Sequence, residues 1–543
     1  MGRASPAILD AIVIGAGPSG LGTSLALSGW RPHYVPNGLL PDAALRERLN
    51  SRVDETGAIP LDELPALASG LRGRSNNPLA LFFDALQHPG VDSGLPVRSC
   101  LELRRSSGLA LSHLLLDPAP PGGSWHGMHE ATRTLSPGPW MEFPGYSLSQ
   151  YLSGTELDGT AQQRQPRGLV AEYYSAAARH FGVAEHHRPW RVVSVERAPN
   201  DDGGGGGTWT VHVDDGTAAP PDPLRARALV LGVGTYGLPR TLAVPGADLP
   251  FVVRRLAALP PDARSVLVVG AGLSASDCIV HCLRRGMSVT HAFRGGWEAT
   301  KVGSKFASDG ARAMYPEYHA LVGAMRRGAR EPSPARPSAR SPASPPARSP
   351  APPQPLLGGS YSALPFHELR RIGADGRCEL ELQRPPGEAG GQGELGGQGE
   401  QGELGGQAHT AQTAHTTAAL DAVALLVGSE PDLGFLPPDV REAIAAAGPP
   451  SQRSDDGVRA THPVFVGVDP YSMEVGAVRG QGLFALGPLR GDNFARFAIH
   501  DGHGVAEAIR SSRRARDEQG DEALVADDSH RVCEGDNLTA EAV

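Results

Sequence analysis

At 543 residues the chain is too long for one simple core and calls for two or more domains. Its net charge of -9 gives no general attraction to nucleic acid or an anionic membrane, and no apolar run is long enough to span a bilayer. Five scattered cysteines (Cys100, Cys278, Cys282, Cys378 and Cys533) include no C-x-x-C, which disfavours a disulfide framework, a zinc site or a dithiol redox centre and points to a reducing, cytoplasmic or nucleocytoplasmic setting.

The first element is the apolar run Ala11-Ile12-Val13-Ile14, which breaks into Gly15-Ala16-Gly17-Pro18-Ser19-Gly20. This G-x-G-x-x-G reads as a buried parallel strand, a tight turn and a helix N-terminus, the arrangement that holds a dinucleotide pyrophosphate. Gly15 makes the turn, Gly17 lets phosphate approach the backbone, and Gly20 lets the helix pack on the strand; a glycine-rich turn without a ligand is the alternative. Asp10 interrupts the entry, so the run is not read as a signal peptide. Leu21–Ser28 follows as a helix, Gly29 stops it, and His33-Tyr34-Val35 reads as the second strand.

At the end of a second strand, a dinucleotide unit usually places Asp or Glu on the ribose hydroxyls. Here the chain offers Pro36-Asn37, which leaves Asn37 as the candidate. Pro41–Leu71 reads as surface helix and loop, Arg72–Asn77 as a surface turn in preference to a ligand loop, and Leu79–Leu86 as an apolar helix. Pro121-Gly122-Gly123-Ser124-Trp125-His126 suits either a loop passing close to a flat cofactor or a plain turn with a packed Trp125. His126 reads as a hydrogen-bonding loop residue, not a general base. Leu135–Trp140 is a second loop of this kind. Leu169–Phe181 reads as an amphipathic helix, and Val192–Val195, Thr208–Val213 and Ala228–Leu231 as strands, the last breaking at Gly232-Val233-Gly234.

The opening pattern then returns. Ser265–Val269 runs into Gly270-Ala271-Gly272-Leu273-Ser274-Ala275, with Ala in the third small position. The next strand, Val289–Phe293, ends in Arg294, a cation that suits a ribose 2′-phosphate and so favours NADPH over NADH; a solvated strand-end charge is the alternative. Cys278 and Cys282 share one face of the intervening helix and read as core residues. Asp421–Val427 ends at Gly428 much as Ala228–Leu231 ends at Gly232, so the whole order repeats. Low-complexity insertions at about 331–355 and 390–407 and a charged tail, 513–543, read as disordered. The last ordered segment, Gly482–Leu489 with Arg490-Gly491-Asp492-Asn493-Phe494, reads as a strand with a glycine exit, an acid and a helix over 495–509, returning to the first nucleotide unit.

These features together resemble the two-dinucleotide flavoproteins, in particular flavin-containing monooxygenases, and more closely the oxidative stress-induced growth inhibitor family. The nearer resemblance is carried by Pro121–His126, Leu135–Met141, Gly270–Asp277, His291–Arg294, Tyr315–His319, Gly428–Leu433, Gly487–Leu489 and Gly491–Phe494. It implies an α/β fold of two Rossmann-like domains, with an FAD-type domain over 8–262 and 437–510 split by an inserted NADPH-type domain over 263–436. It implies FAD at Gly15, Gly17 and Gly20 and NADPH at Gly270, Gly272 and Ala275; the residues read beside these as cofactor-binding are Pro18, Ser19, Asn37, Gly123, Trp125, Gly487, Asp492 and Asn493 at the first site and Ser274 and Arg294 at the second. No catalytic residue or metal site is assigned.

The activity implied is NADPH-fed monooxygenation, with the cofactors carrying the chemistry, linked to growth regulation and the oxidative-stress response. Three departures stand out: Pro36-Asn37 in place of an acid, Phe251-Val252-Val253-Arg254-Arg255 where flavin monooxygenases carry F-x-G-x-x-x-H, and Pro488 after Gly487 where many relatives have Asp. The competing reading is a regulator that keeps the fold and works through protein partners, with the Pro-rich insertion as a docking segment.

Overall fold

The computed structural model describes residues 7–93, 98–155, 161–198, 207–328, 358–383, 414–447 and 466–535. The expected insertions at 331–355 and 390–407 lie outside them. The chain divides into two compact units, Met1–Gly237 with Glu430–Val543, and Leu238–Ser429. The second unit begins earlier than the sequence reading places it. Val252 and Val253 pair with Val423 and Ala424 in its sheet, so the stretch after Gly237 belongs there.

The first unit is built on a seven-stranded sheet. Strand Ile8–Ile14 lies between His113–Leu116 and Leu224–Leu231, parallel to both. The far edge of Leu224–Leu231 is shared: its first half pairs antiparallel with Thr208–Asp214 and its second half parallel with Leu483–Ala485. The period-2 alternation sends Ala11 and Val13 into the core beneath helix Pro18–Leu27, and Ile12 and Ile14 into a second core that holds Trp209, Leu229 and Leu231.

The strand expected at His33–Val35 corrects the sequence reading. It runs Trp30–Tyr34 and pairs antiparallel with Leu101–Arg105 in a sheet of its own. Pro32 stands in its middle and has no amide to give a central ladder, so a two-stranded edge suits it. The central place beside the first strand goes instead to His113–Leu116.

The second unit holds a five-stranded parallel sheet in the order Val252–Val253, Ala422–Leu425, Ser265–Val269, Ser288–Phe293, Tyr361–Pro365. Helix Leu273–Arg284 follows the central strand and buries Cys278 and Cys282 completely.

The tail expected to be disordered over 513–543 is helical as far as Gly535, and 536–543 lie outside the described residues. One helix runs Asp501–Gly535, and its Arg514 donates to Glu507 at 2.8 Å while Arg513 lies 3.6 Å from Asp10. The Arg, Ala and Glu residues frequent in this stretch are strong helix formers. No helix among the described residues is long and apolar enough to cross a membrane.

Candidate functional site

The first glycine turn is fixed by backbone contacts on two sides. Gly15 has φ +104°, and a Cβ there would lie 2.4 Å from the Gly232 carbonyl oxygen, so two strand exits touch at this point. A Cβ at Gly20 would lie 1.8 Å from the Gly15 oxygen, so the helix sits directly on the turn. Gly17 is different: a Cβ there would meet nothing within 4 Å. It is the N-cap of helix Pro18–Leu27, Pro18 occupies the first turn, and no side chain caps the free amides. Open space in front of uncapped helix amides is what an anionic pyrophosphate requires.

The Gly-Gly-Ser-Trp loop closes on the same turn. Gly122 donates to Ala16 O at 2.8 Å, and a Cβ at Gly123 would lie 2.8 Å from the Gly17 nitrogen. Trp125 is half-buried against the first core, while His126 Nε2 bonds the Pro121 carbonyl at 3.1 Å. The last strand approaches from the other side: a Cβ at Gly487 would lie 2.3 Å from Ser19 Oγ. The Leu135–Met141 loop meets this ending through Arg496, whose fully buried guanidinium lies 4.3 Å from the Trp140 ring centre and 3.2 Å from both Asp92 oxygens.

Asn37 is not brought to this turn by any contact. Its amide donates to Arg98 O at 3.0 Å, and its carbonyl oxygen accepts from Leu39 N at 3.0 Å and the Cys100 thiol at 3.2 Å, all within its own loop system. The acid that accompanies the first strand is Asp117, directly after His113–Leu116. Its Oδ2 accepts the Ala16 amide at 2.7 Å and its Oδ1 the Ala119 amide at 2.8 Å, and burial raises its carboxyl above the usual range. An acid thus does stand at the exit of the strand beside the first turn, later in the chain than Pro36-Asn37. The signal for it was the run His113-Leu114-Leu115-Leu116-Asp117 just ahead of the Pro-Gly-Gly loop.

Asp492 is buried, with Oδ1 accepting from Ser75 Oγ at 2.6 Å and Oδ2 from Arg490 Nη2 at 3.0 Å; Asn493 is exposed and bonds the Gly491 carbonyl. Behind Asp492 lies Asp501, fully buried, whose Oδ2 accepts the Gly487 amide at 2.7 Å and whose Oδ1 accepts from Asn77 at 3.3 Å. Ser75 and Asn77 are both buried, so Arg72–Asn77 is not simply the surface turn the sequence reading preferred. Its buried end is an internal strut between the two ends of the unit. Neither Asp117 nor Asp501 was singled out by the sequence patterns.

The second turn repeats the first within its own unit. Gly270 has φ +143°, and a Cβ there would lie 2.2 Å from the Leu426 oxygen; one at Gly272 would meet nothing within 4 Å. Gly272 is the N-cap of helix Leu273–Arg284, again without a side-chain cap, with Ser274 exposed and Ala275 fully buried beneath it. His291 braces the turn: Nε2 bonds Gly270 O at 2.7 Å and Nδ1 faces the Tyr361 hydroxyl at 2.9 Å. Burial lowers its pKa to about 4, so the neutral ring donates from Nε2 and accepts at Nδ1. Arg294 is exposed at the end of strand Ser288–Phe293.

Residues 108–307 match the family described as pyridine nucleotide-disulphide oxidoreductase. The chain is 31% identical over 519 residues to oxidative stress-induced growth inhibitor 1 of Mus musculus, covering 92% of this chain and 94% of that protein. It is 29% identical over 530 residues to the Homo sapiens protein of the same name, covering 94% and 96%. Among solved structures, bacillithiol disulfide reductase Bdr (YpdA) from Bacillus cereus aligns with a TM-score of 0.51 at 14% identity, covering 93% of this chain and 100% of that one. The fold is that of the two-dinucleotide-binding-domain flavoproteins.

Proposed function

The chain belongs to the oxidative stress-induced growth inhibitor family, and on that footing we propose that it is an NADPH-dependent flavoprotein monooxygenase. The observation that carries this reading is the pair of matching turns, each with an uncapped helix N-terminus and open space at its second glycine, Gly17 in one unit and Gly272 in the other. Bound FAD would supply hydride acceptance and dioxygen chemistry. The chain's own residues bind and orient. The amides after Gly17 take the FAD pyrophosphate, Asp117 the ribose hydroxyls, and the amides after Gly272 the NADPH pyrophosphate, with Arg294 at the 2′-phosphate. The five cysteines contain no C-x-x-C, and Cys278 and Cys282 are sealed in the core, which favours oxygenation over disulfide reduction.

The test is the spectrum of the purified protein. A yellow preparation whose flavin absorbance bleaches on anaerobic addition of NADPH, and whose reoxidation consumes dioxygen, supports the reading. A colourless protein that cannot be reconstituted with FAD overturns it and leaves the partner-dependent regulator.

A further inference from the structure

The exit of the last strand is held by a buried polar cluster that the dinucleotide reading does not account for. Gly487 has φ +52° and lies against Ser19, at the first turn of the helix that follows Gly17. Its amide donates to Asp501 Oδ2 at 2.7 Å, and Asp501 is entirely buried. Asn77 donates to Asp501 Oδ1 at 3.3 Å, and Arg490 Nη1 lies 3.6 Å from the same oxygen. Arg490 is shared with Asp492, so one guanidinium faces two buried carboxylates. Helix Pro18–Leu27 packs against this helix with Thr23, which is uncharged, while His500 turns to Gln87 and His503 to Phe83. The charged groups facing Asp501 are thus Arg490 and Asp492.

We propose that Asp501 is a positioning residue of the first dinucleotide site: ionised, it holds the Gly487 amide and so keeps the last strand's exit against Ser19, and protonated, it lets that exit go. The proposal rests on the reading that FAD occupies the Gly15–Gly20 turn. Gly487, Asn77 and Arg490 all present N–H donors to an ionised carboxylate, and burial raises the Asp501 pKa while the Gly487 amide lowers it; a still-buried carboxyl that has lost that amide takes up a proton more readily, so acid favours the released exit. Burial together with the Asp492 charge raises the Asp501 pKa to about 6, the Arg490 charge opposing, so the change falls within reach of ordinary buffers.

The experiment follows two readouts on the full chain between pH 5 and 8. The first is the FAD dissociation constant, by flavin fluorescence. The second, without FAD, is hydrogen–deuterium exchange of the peptide over 486–491, corrected for intrinsic rates. Wild type is expected to lose about tenfold in FAD affinity from pH 7.5 to 5, with protection of the peptide falling over the same range. Asp501→Asn should give flat profiles in both, near the wild-type acid values. Should that variant fail to fold, Asn77→Ala removes one donor and should move both wild-type midpoints to higher pH. A wild-type exchange profile independent of pH, or one left unchanged by these variants, overturns the proposal. A protein that binds no FAD at any pH overturns the flavin reading instead, and the exchange profile still decides the role of Asp501.

Discussion

Asp117 Oδ2 accepts the Ala16 amide at 2.7 Å, which joins the acid at the end of one strand to the glycine turn at the end of its neighbour. The carboxylate keeps further lone pairs for a ligand and is already oriented by Ala16 and Ala119. Two variants separate its roles. Asp117→Asn keeps an acceptor for only one of the two backbone amides and should lower thermal stability, and it should weaken FAD by ~10-fold or more, since a charged acceptor to two hydroxyls is replaced by a neutral amide. Asn37→Ala should disturb thermal stability through its loop contacts and leave the adenosine end of FAD unaffected. Dissociation constants for FAD and for ADP-ribose, measured on both variants, check the assignment. Equal effects on ADP-ribose would mean that Asp117 is not the ribose acid.

The glycines of the first turn should behave differently from one another. Gly17 has φ −72°, open to any residue, and an added Cβ meets no protein atom. Gly17→Ala is therefore expected to change unfolding free energy by less than ~0.5 kcal/mol while lowering FAD affinity by ~10-fold, because the methyl group stands where phosphate must approach. Gly20→Ala drives a Cβ to 1.8 Å from a backbone oxygen. It should cost ~3 kcal/mol or more, since helix and turn must part. Urea unfolding and flavin fluorescence on the two variants distinguish them; a Gly17→Ala protein with wild-type FAD affinity would remove the pyrophosphate from this turn.

What the sequence made legible was local. Both strand–glycine–helix turns stood out because their chemistry is contained in about ten consecutive residues, and the repeat of that order separated two units. What it hid was pairing at a distance. The second strand was misplaced because only its pairing with Leu101–Arg105 shows that it left the central sheet, although Pro32 was a warning. Ser75 and Asn77 read as polar loop residues because their carboxylate partners lie 417 and 424 residues away. Asp501 was masked by its place in a helix whose other faces are ordinary, and only burial marks it.

Arg294 is exposed at the strand end beside the second turn, where a 2′-phosphate would meet it. Arg294→Ala should leave NADH binding unchanged and weaken NADPH by ~10-fold or more, the loss of a charge-assisted contact with a phosphate. Anaerobic titrations with the two nucleotides give the ratio directly. An unchanged preference would return Arg294 to a solvated strand-end charge.

Acid should destabilise the protein through histidines rather than carboxylates. Burial lowers the pKa of His113 and His291 to about 4 and that of His503 to about 3, against 6.5 for an unperturbed imidazole. Above pH 6.5 these groups are neutral in both states and contribute nothing to the pH dependence. As pH falls from 6.5 towards 4 the unfolded chain takes up protons that the native chain refuses, so stability falls. Asp501 works in the opposite sense between about 6 and its unfolded value of 3.8, but as one carboxyl against three imidazoles. At pH 5 each histidine should cost ~2 kcal/mol, read as a lower urea midpoint than at pH 7.5. His503 offers the cleanest check, because its Nδ1 is buried without a partner and its ring packs on Phe83 at 4.9 Å. His503→Phe should therefore match wild type at pH 7.5 and exceed it at pH 5. A variant that tracks wild type at both values would show that this ring is not a source of the acid sensitivity.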